Sequence, residues 1–402
     1  MPKVLITGNG FDLNFNLPTT YSDFINILNS LEKNNNIEFE SIYSNSNNFE
    51  NIKSNFNNNI EFDIEKITSL KILIKNNLWY KFFKNELNIE TWIDFENKIQ
   101  YVLDLFLSSL SLVKENFFGK NPLSKISTYK STTLNNNLET INVLGFFGIF
   151  IIDEYFNWSF NRDFLIKKYN YFIDLNTKKI VEFLNQQLID FKNIFNEYFN
   201  IFVQPLYDKS LVKHDRNFLN GINYYFTFNY TPSFENYFNS KIKSNYLHGK
   251  INSEKNSLVL GINDVPNDVK DKIHYLPFTK YYQKLNNNTD FYFLNEIKKQ
   301  RLDNFMFFFW GHSLDSSDAD YINEVFDFIS EHNSKIKKIV VVYHNEHSKS
   351  QLLLNLLDIR GKDDIVQKMR NKNLIFCQSN SNELNTELNL HIPNVSYGPS
   401  VH

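Results

Sequence analysis

The chain has 402 residues, 42% of them hydrophobic and 16% aromatic, which is enough for a large core and for two to three domains. A net charge of −3 and a pI near 6.3 give no general attraction to nucleic acid or to an anionic membrane, so neither is expected as a partner. The single cysteine, Cys377, excludes an internal disulfide framework and a thiolate metal cluster, and we expect no metal site. Because no apolar stretch is long enough for a membrane span or a signal peptide, the sequence predicts a cytoplasmic protein.

The chain opens with a predicted strand, a glycine turn and a helix. Residues 4–7 are a short run of strand type, and Gly8-Asn9-Gly10 follows it directly. In a chain with only 11 glycines, a glycine at a strand end indicates a close backbone approach, often to a nucleotide. Hydroxyl and acidic capping residues then precede an apolar-periodic run at 24–31, so residues 1–31 are predicted to form a βα unit.

The middle of the chain has a different pattern. From residue 32 to 218 the sequence consists of long polar stretches in which apolar residues recur at helical spacing, with few glycines. We therefore expect 32–218 to be a mainly helical insertion domain. Residues 1–31 and 219–402 are predicted to form one nucleotide-binding domain around it.

Strand patterns return after the insertion and alternate with helical ones. Predicted strands lie at 224–228, 246–247, 257–260, 304–310, 336–343 and 374–376, and predicted helices at 321–329 and 348–357. Strands that alternate with helices indicate a parallel sheet covered on both faces. The predicted fold class is therefore α/β, with a Rossmann-like parallel sheet.

Polar residues follow several predicted strands at the point where each strand ends. They are Asn229, the pair His248-Gly249, and the Ser and Asp residues of 311–318, and two glycines in the Gly8-Asn9-Gly10 turn expose N–H groups suited to a phosphate. Each has a structural alternative: a turn glycine, an asparagine cap, a packed histidine or a helix cap. The sequence by itself leaves these alternatives open.

These motifs resemble the bacteriophage abortive-infection AbiH family. The resemblance lies in residues 6–13 and 17–24, in Leu247-His248-Gly249, and in Gly311-His312-Ser313-Leu314 with Asp318. It implies an antiphage role, and it is compatible with a phage-derived trigger, with a partner defence protein and with assembly of several copies of this chain.

The order of the same motifs is similar, more distantly, to the sirtuin-like NAD-binding fold. This similarity implies NAD as substrate or ligand, with Asn229 positioning the attacking water or the nicotinamide ribose and neutral His248 accepting a proton. The sequence departs from the sirtuin pattern at Asn9, Asp12 and Thr231, and it has no zinc-binding cysteines. The residues implied to bind the nucleotide are Gly8, Asn9, Gly10, Asp12, Thr227, Gly249, Gly311, Ser313, Asp315 and Asp318.

The resulting functional prediction is an abortive-infection effector that hydrolyses NAD, or a related nucleotide, at the N-glycosidic bond. The alternative is a non-catalytic module that senses a nucleotide or ADP-ribose, or that assembles subunits, in phage defence. A nuclease is disfavoured by the absence of a metal-carboxylate motif and by the acidic pI.

Overall fold

The computed structural model describes residues 2–34, 36–56, 59–86, 92–117, 138–152, 158–168, 171–211, 215, 218–238, 241–252, 257–265, 272–288, 293–299, 304–331 and 336–390. Residues 391–402, the end of the predicted nucleotide-binding domain, lie outside them. The chain divides into two compact units. The first, called the sheet unit below, comprises Met1–Asp63, Tyr198–Leu258 and Lys284–His402, and the second comprises Ile64–Glu197 and Val259–Gln283.

The strands are β1 (Lys3–Thr7), β2 (Phe150–Ile152), β3 (Trp158–Phe160), β4 (Leu165–Lys168), β5 (Tyr171–Leu175), β6 (Tyr224–Thr227), β7 (Ser244–Tyr246), β8 (Asn304–Trp310), β9 (Ile336–Tyr343) and β10 (Leu374–Gln378). The first helices are α1 (Asn9–Leu13), α2 (Tyr21–Lys33), α3 (Phe39–Tyr43), α4 (Phe49–Asn55), α5 (Ile64–Asn76), α6 (Leu78–Asn85), α7 (Trp92–Phe117), α8 (Leu138–Phe146) and α9 (Thr177–Tyr198). The later helices are α10 (Gln204–Lys209), α11 (Ser233–Tyr237), α12 (Lys280–Asn287), α13 (Asn295–Lys298), α14 (Ala319–Glu331), α15 (Glu346–Arg360), α16 (Lys362–Arg370) and α17 (Asn382–Asn389).

Six strands of the sheet unit form one parallel sheet in the order β10-β9-β8-β1-β6-β7. The strands that follow β1 in the chain, β6 and β7, lie on one side of it, and the later strands β8, β9 and β10 lie on the other. The strand order therefore reverses between β1 and β8. This confirms the α/β class and the parallel sheet.

The centre of the sheet is apolar and buried along its whole length. Every residue of β1 and β8 is buried, as expected for parallel strands whose two faces are both covered. On one face, Val4 and Phe307 belong to the same core cluster as Ile322 and Phe326 of α14.

Helix α2 begins where the sequence predicts. The hydroxyl of Thr20 accepts a hydrogen bond from the backbone N–H of Asp23 at 3.0 Å, and the Asp23 carboxylate accepts from the N–H of Thr20 at 3.3 Å, which makes a capping box. Phe24, Leu28 and Leu31 are fully buried, so the predicted apolar stripe is the face that packs.

The predicted strands 304–310 and 336–343 are confirmed, and helices α14 and α15 cover the helical patterns at 321–329 and 348–357. The predicted strand at 257–260 is wrong. Leu260 is buried, but the side chain of Gln283 takes the place of a neighbouring strand: its Oε1 accepts from Leu260 N–H and its Nε2 donates to Leu260 C=O, both at 3.0 Å. An apolar pattern indicates that residues are buried, but it does not show whether their backbone is bonded to a neighbouring strand or to a side chain.

The second unit is mainly helical but also contains the hairpins β2–β3 and β4–β5. Its core is aromatic: Trp79 stacks on Phe83 with ring centroids 5.5 Å apart, and Phe83 meets Phe95 edge to face at 4.2 Å. The predicted domain boundaries, with an insertion at 32–218, stay a prediction. Within the described residues, no helix has the length and apolar character needed to cross a membrane.

Candidate functional site at the carboxyl edge of the sheet

The carboxyl ends of four neighbouring strands lie at one level. Thr7 of β1 is in register with Trp310 of β8 and with Thr227 of β6, and Thr227 is in register with Tyr246 of β7. Because these strands are parallel, the residue two positions after the last residue of each strand lies at the same edge of the sheet. Those residues are Asn9, His312, Asn229 and His248. The fold thus gathers polar residues that lie up to 303 positions apart, from Asn9 to His312.

Two glycine turns pack against each other at this edge. The N–H of Gly8 donates to Trp310 C=O at 3.1 Å, and the N–H of Gly10 donates to Gly311 C=O at 2.8 Å. A Cβ on Gly10 would lie 2.8 Å from Gly311 Cα, and one on Gly311, whose φ is +67°, would lie 2.1 Å from Phe11 N. These contacts require glycine at both turns. The N–H groups of Gly8 and Gly10, which the sequence analysis assigns to a phosphate, donate here to the backbone of the neighbouring turn.

Asp318 lies between two histidines. One carboxylate oxygen, Oδ1, is 3.1 Å from His248 Nε2, and the other, Oδ2, is 3.4 Å from His312 Nε2. All three residues are buried. The ring of Phe228 packs against both imidazoles, with centroids 5.1 Å from His248 and 4.2 Å from His312.

Asp12 is the centre of a buried hydrogen-bond network. Its Oδ2 accepts from the Thr231 hydroxyl, and its Oδ1 accepts from Ser233 at 2.5 Å. The Tyr207 hydroxyl lies 2.7 Å from Ser233 Oγ, and either hydroxyl can be the donor of this hydrogen bond. Burial raises the pKa of Asp12 to about 7, while hydrogen bonds from Ser233 and Thr231 and the nearby Asn229 side chain hold it lower than burial alone would.

Asn229 is 6% exposed and is held from its backbone. Its N–H donates to Thr227 Oγ1 at 3.0 Å, and Thr227 Oγ1 also accepts from the Thr7 hydroxyl at 2.9 Å. The Asn229 side chain helps to lower the pKa of Asp12, but in the described part of the chain its Nδ2 has no partner at hydrogen-bond geometry. Buried amide donors are nearly always paired, so this one calls for an explanation.

A family model for bacteriophage abortive infection AbiH matches residues 4–343, from β1 to the end of β9. This chain belongs to the AbiH family. Membership confirms the AbiH resemblance and indicates a role in phage abortive infection. No curated protein and no solved structure matches the chain, and the sirtuin-like resemblance stays a prediction.

The opening motif of this AbiH protein has a structural reason at nearly every position. Gly8 and Gly10 allow the turn to contact the Gly311 turn, Phe11 is fully buried, and Asp12 accepts hydrogen bonds from the hydroxyls of Thr231 and Ser233. Asn9, Gly10 and Leu13 are partly exposed. The motif that carries the family resemblance is thus largely the motif that joins β1 to its neighbours.

Three further predicted site residues of the AbiH chain have structural roles. Gly249 has φ +85°, and a Cβ there would lie 2.0 Å from Ser257 C=O. Asp315 accepts from Ser317 N–H at 2.9 Å and so caps the short 3₁₀ turn Ser316–Asp318, which is the helix-cap alternative. Ser313 is exposed, and its C=O accepts from Asn355 Nδ2 at 2.9 Å. A nucleotide contact by any of them stays a prediction.

The sequence analysis includes His312 only as part of a motif and Thr231 only as a departure from the sirtuin pattern, and it does not predict Ser233 or Tyr207. A signal for His312 existed, because Gly311-His312 follows β8 as Leu247-His248 follows β7, and the register places both at one level. No comparable signal marks Ser233 or Tyr207, which only the fold brings to Asp12. In the described ranges, no three His, Cys, Asp or Glu side chains are arranged to hold a metal ion.

Proposed function

We propose that this AbiH protein answers phage infection by hydrolysing NAD, or a related nucleotide, at the bond between ribose and base. The order of the sheet is the observation that carries the proposal. Ranked by their position in the chain, the six strands lie in the order 3-2-1-4-5-6. Dinucleotide-binding α/β folds have this order, and they bind the ligand at the carboxyl edge where the order reverses. On this proposal the sheet unit is a Rossmann-like domain.

The reversal point and the polar residues coincide. The order reverses between β1 and β8, and the turns that follow these two strands contain Asn9 and His312. Asn229 and His248 follow the next two strands on the β1 side, at the same level of the sheet. A dinucleotide lying along this edge would pass all four strand ends.

Hydrolysis of NAD needs a water, a place for the ribose and a proton acceptor. The water oxygen forms a bond to the ribose C1′ while the bond between C1′ and the nicotinamide nitrogen breaks. The electron pair of the breaking bond stays on that nitrogen, so nicotinamide leaves as a neutral molecule. The proton of the water goes to the imidazole of His248. The ribose carries positive charge in the transition state, so fixed dipoles in a buried site act on it strongly.

Asn229 supplies the donor for this arrangement. A buried amide without a partner costs about 1–3 kcal/mol, and a ribose hydroxyl or the attacking water would satisfy Nδ2. The buried N–H of Asn229 is tied to Thr227 at 3.0 Å, so its backbone is held before a ligand arrives. Gly8, Gly10 and Gly311 contribute the shape of the edge, whereas Asn9, Ser313 and Asp315 retain exposed atoms for the nucleotide.

The test is a product assay on the purified protein. NAD is incubated with the wild type, Asn229→Ala and His248→Ala, with and without lysate from phage-infected cells, and nicotinamide and ADP-ribose are quantified over hours. The lysate supplies the phage-derived trigger or partner that the proposal includes. Asn304→Ala is the matched control, because Asn304 is 5% exposed at the opposite, amino end of β8.

Release by the wild type that persists in Asn304→Ala and is lost in the two site variants supports the proposal. Equal release from Asn229→Ala and the wild type would remove the site from the reaction. Saturable binding of NAD or ADP-ribose, without product in either condition, would replace hydrolysis by the nucleotide-sensing alternative.

A further inference from the structure

The turn after β1 has the glycines of a phosphate-binding turn, but its N–H groups already have acceptors. The N–H of Gly8 donates to Trp310 C=O at 3.1 Å, and that of Phe11 donates to Gly8 C=O at 2.9 Å. The N–H of Gly10 donates to Gly311 C=O at 2.8 Å. A backbone N–H has one proton, so these three donors are committed within the protein and are not free for a pyrophosphate. Helix α1, whose dipole would assist, has only 5 residues.

The space beside this turn is filled as well. A Cβ built on Gly8 would lie 2.7 Å from His312 Cα, and one built on Gly10 would lie 2.8 Å from Gly311 Cα. A single methyl group therefore does not fit between the two turns, and a phosphate group is larger. In dinucleotide-binding folds, glycine in this turn allows the pyrophosphate to approach the backbone. Here the same absence of a side chain allows the Gly311 turn to approach.

The charged side chains at this edge are mainly acidic. Four segments follow the strands β1, β6, β7 and β8, and each is described throughout: 8–20, 228–233, 247–252 and 311–318. Within these segments, and apart from histidine, the charged residues are three aspartates and one lysine: Asp12, Asp315, Asp318 and Lys250. The Lys250 amine is already engaged, because it lies 3.2 Å from Glu235 Oε2 and 4.9 Å from the centroid of the Tyr246 ring.

A cationic ring suits this charge better than a pyrophosphate does. In NAD the nicotinamide nitrogen bonded to C1′ carries a positive charge, and carboxylates attract that charge and repel phosphate. Asp315 is partly exposed, and its Oδ1 accepts from Ser317 N–H at 2.9 Å, which fixes the carboxylate at the edge. The edge therefore favours the nicotinamide end of the molecule over its phosphates.

We propose that the site recognises the nicotinamide–ribose end of its substrate, a ribosylated pyridinium cation, and makes no phosphate contact. This inference rests on the proposed function and narrows its substrate class: nicotinamide riboside and nicotinamide mononucleotide are cleaved as NAD is. The bonds formed and broken are those given above, with ribose or ribose phosphate released in place of ADP-ribose. Gly8 and Gly10 then shape the edge and do not bind the nucleotide.

The first test compares kcat/KM of the purified protein for NAD, nicotinamide mononucleotide and nicotinamide riboside, with release by Asn229→Ala subtracted. The three values are expected to lie within about 10-fold of one another, because one charge-assisted hydrogen bond to a phosphate would by itself contribute about that factor or more. A larger preference for NAD over the riboside would overturn the inference and leave NAD hydrolysis standing.

The second test reads recognition without turnover. Carbocyclic analogues of nicotinamide riboside and of NAD, which are not hydrolysed, and ADP-ribose are titrated calorimetrically at low and at high ionic strength. The riboside analogue should bind at least as tightly as the NAD analogue and about 10-fold or more tightly than ADP-ribose, and salt should weaken its binding. Tighter binding of ADP-ribose, weaker binding of ADP-ribose at high salt, or no binding of the riboside analogue would overturn the inference.

A charge variant locates the effect at the edge. Asp315→Asn removes the charge and keeps an oxygen that can accept from Ser317 N–H. It should weaken binding of the riboside analogue by about 2- to 5-fold and strengthen binding of ADP-ribose by a similar factor. Asp363→Asn, at an exposed position in the first turn of α16, is the matched control and should change neither. Equal effects of the two variants would contradict the inference. If the riboside analogue binds as expected but the wild type cleaves none of the three substrates, the hydrolase proposal fails and the recognition result stands.

Discussion

Replacement of Asp12 by asparagine is expected to stabilise the sheet unit increasingly as the pH rises from 3.8 to about 7. Asp12 is 1% exposed, and burial raises its pKa from 3.8 to about 7. Asparagine has the shape of the protonated carboxyl, can accept from one of Thr231 and Ser233 and donate to the other, and cannot ionise. The variant therefore removes the cost of a buried charge and keeps the packing.

The sign and size follow from proton binding. Between pH 3.8 and about 7 the folded chain keeps the Asp12 proton and the unfolded chain has lost it. The folded state binds more protons in this window, so its stability falls as pH rises, by about 1.4 kcal/mol per pH unit. From pH 5 to pH 8 the wild type should lose about 3 kcal/mol that Asp12→Asn retains.

The assay is urea unfolding of both proteins at constant ionic strength from pH 5 to pH 8, followed by circular dichroism. Asp320→Asn, at an exposed position of the first turn of α14, shows what loss of a surface carboxylate does by itself. The difference in midpoint between Asp12→Asn and the wild type should grow with pH and level off above about pH 7. A difference that is constant over the whole range would show that Asp12 is already ionised at pH 5, and the reasoning would fail.

Gly311→Ala should destabilise the folded state by more than about 3 kcal/mol in thermal unfolding, because φ is +67° and the new Cβ would lie 2.1 Å from Phe11 N. Gly148→Ala is the control: φ there is +68° but the space around it is open, so only the backbone strain of about 1–2 kcal/mol is expected. Burial lowers the pKa of Lys192 from 10.5 to about 7, and its amine donates to Gln283 at 2.6 Å. Between these two pKa values the unfolded chain binds more protons than the folded chain, so stability falls as the pH falls. From pH 9 to pH 7 the free energy of unfolding of the wild type should drop by about 2 kcal/mol relative to Lys192→Met. Urea midpoints of the two proteins that change in parallel would contradict this.

The α/β class and the parallel sheet follow from the sequence because β1 and β8 are apolar over their whole length and each is followed by glycine. Parallel strands that are buried on both faces typically have a continuous apolar sequence of this kind, and they pair with a neighbouring strand at each edge. The error at 257–260 has the same origin. Leu258 and Leu260 are buried like strand residues, but the backbone of Leu260 is bonded by an amide side chain that comes from 23 residues further along the chain.

The site is predictable only in part, because local patterns locate strand ends and not what lies between them. Asn229 and His248 were found because each follows an apolar run, and the register puts both at one edge. The hydroxyl partners of Asp12 are not predicted. Thr231 and Ser233 are 219 and 221 residues from Asp12, and a hydroxyl in a loop carries no sign of which carboxylate it will meet.

The carboxyl edge of the sheet concentrates features that stability alone does not favour. Asn229 buries an amide nitrogen that has no partner at hydrogen-bond geometry, Leu314 holds a left-handed backbone, and Asp12 buries a carboxyl group with a raised pKa. Each of these features costs the folded state on the order of 1–3 kcal/mol, and a common substitution would remove that cost. All three lie on segments that follow β1, β6 and β8, the strands on either side of the reversal of strand order. Proteins retain such local costs mainly where function depends on them, which favours this edge as the working site of the molecule over a purely structural junction.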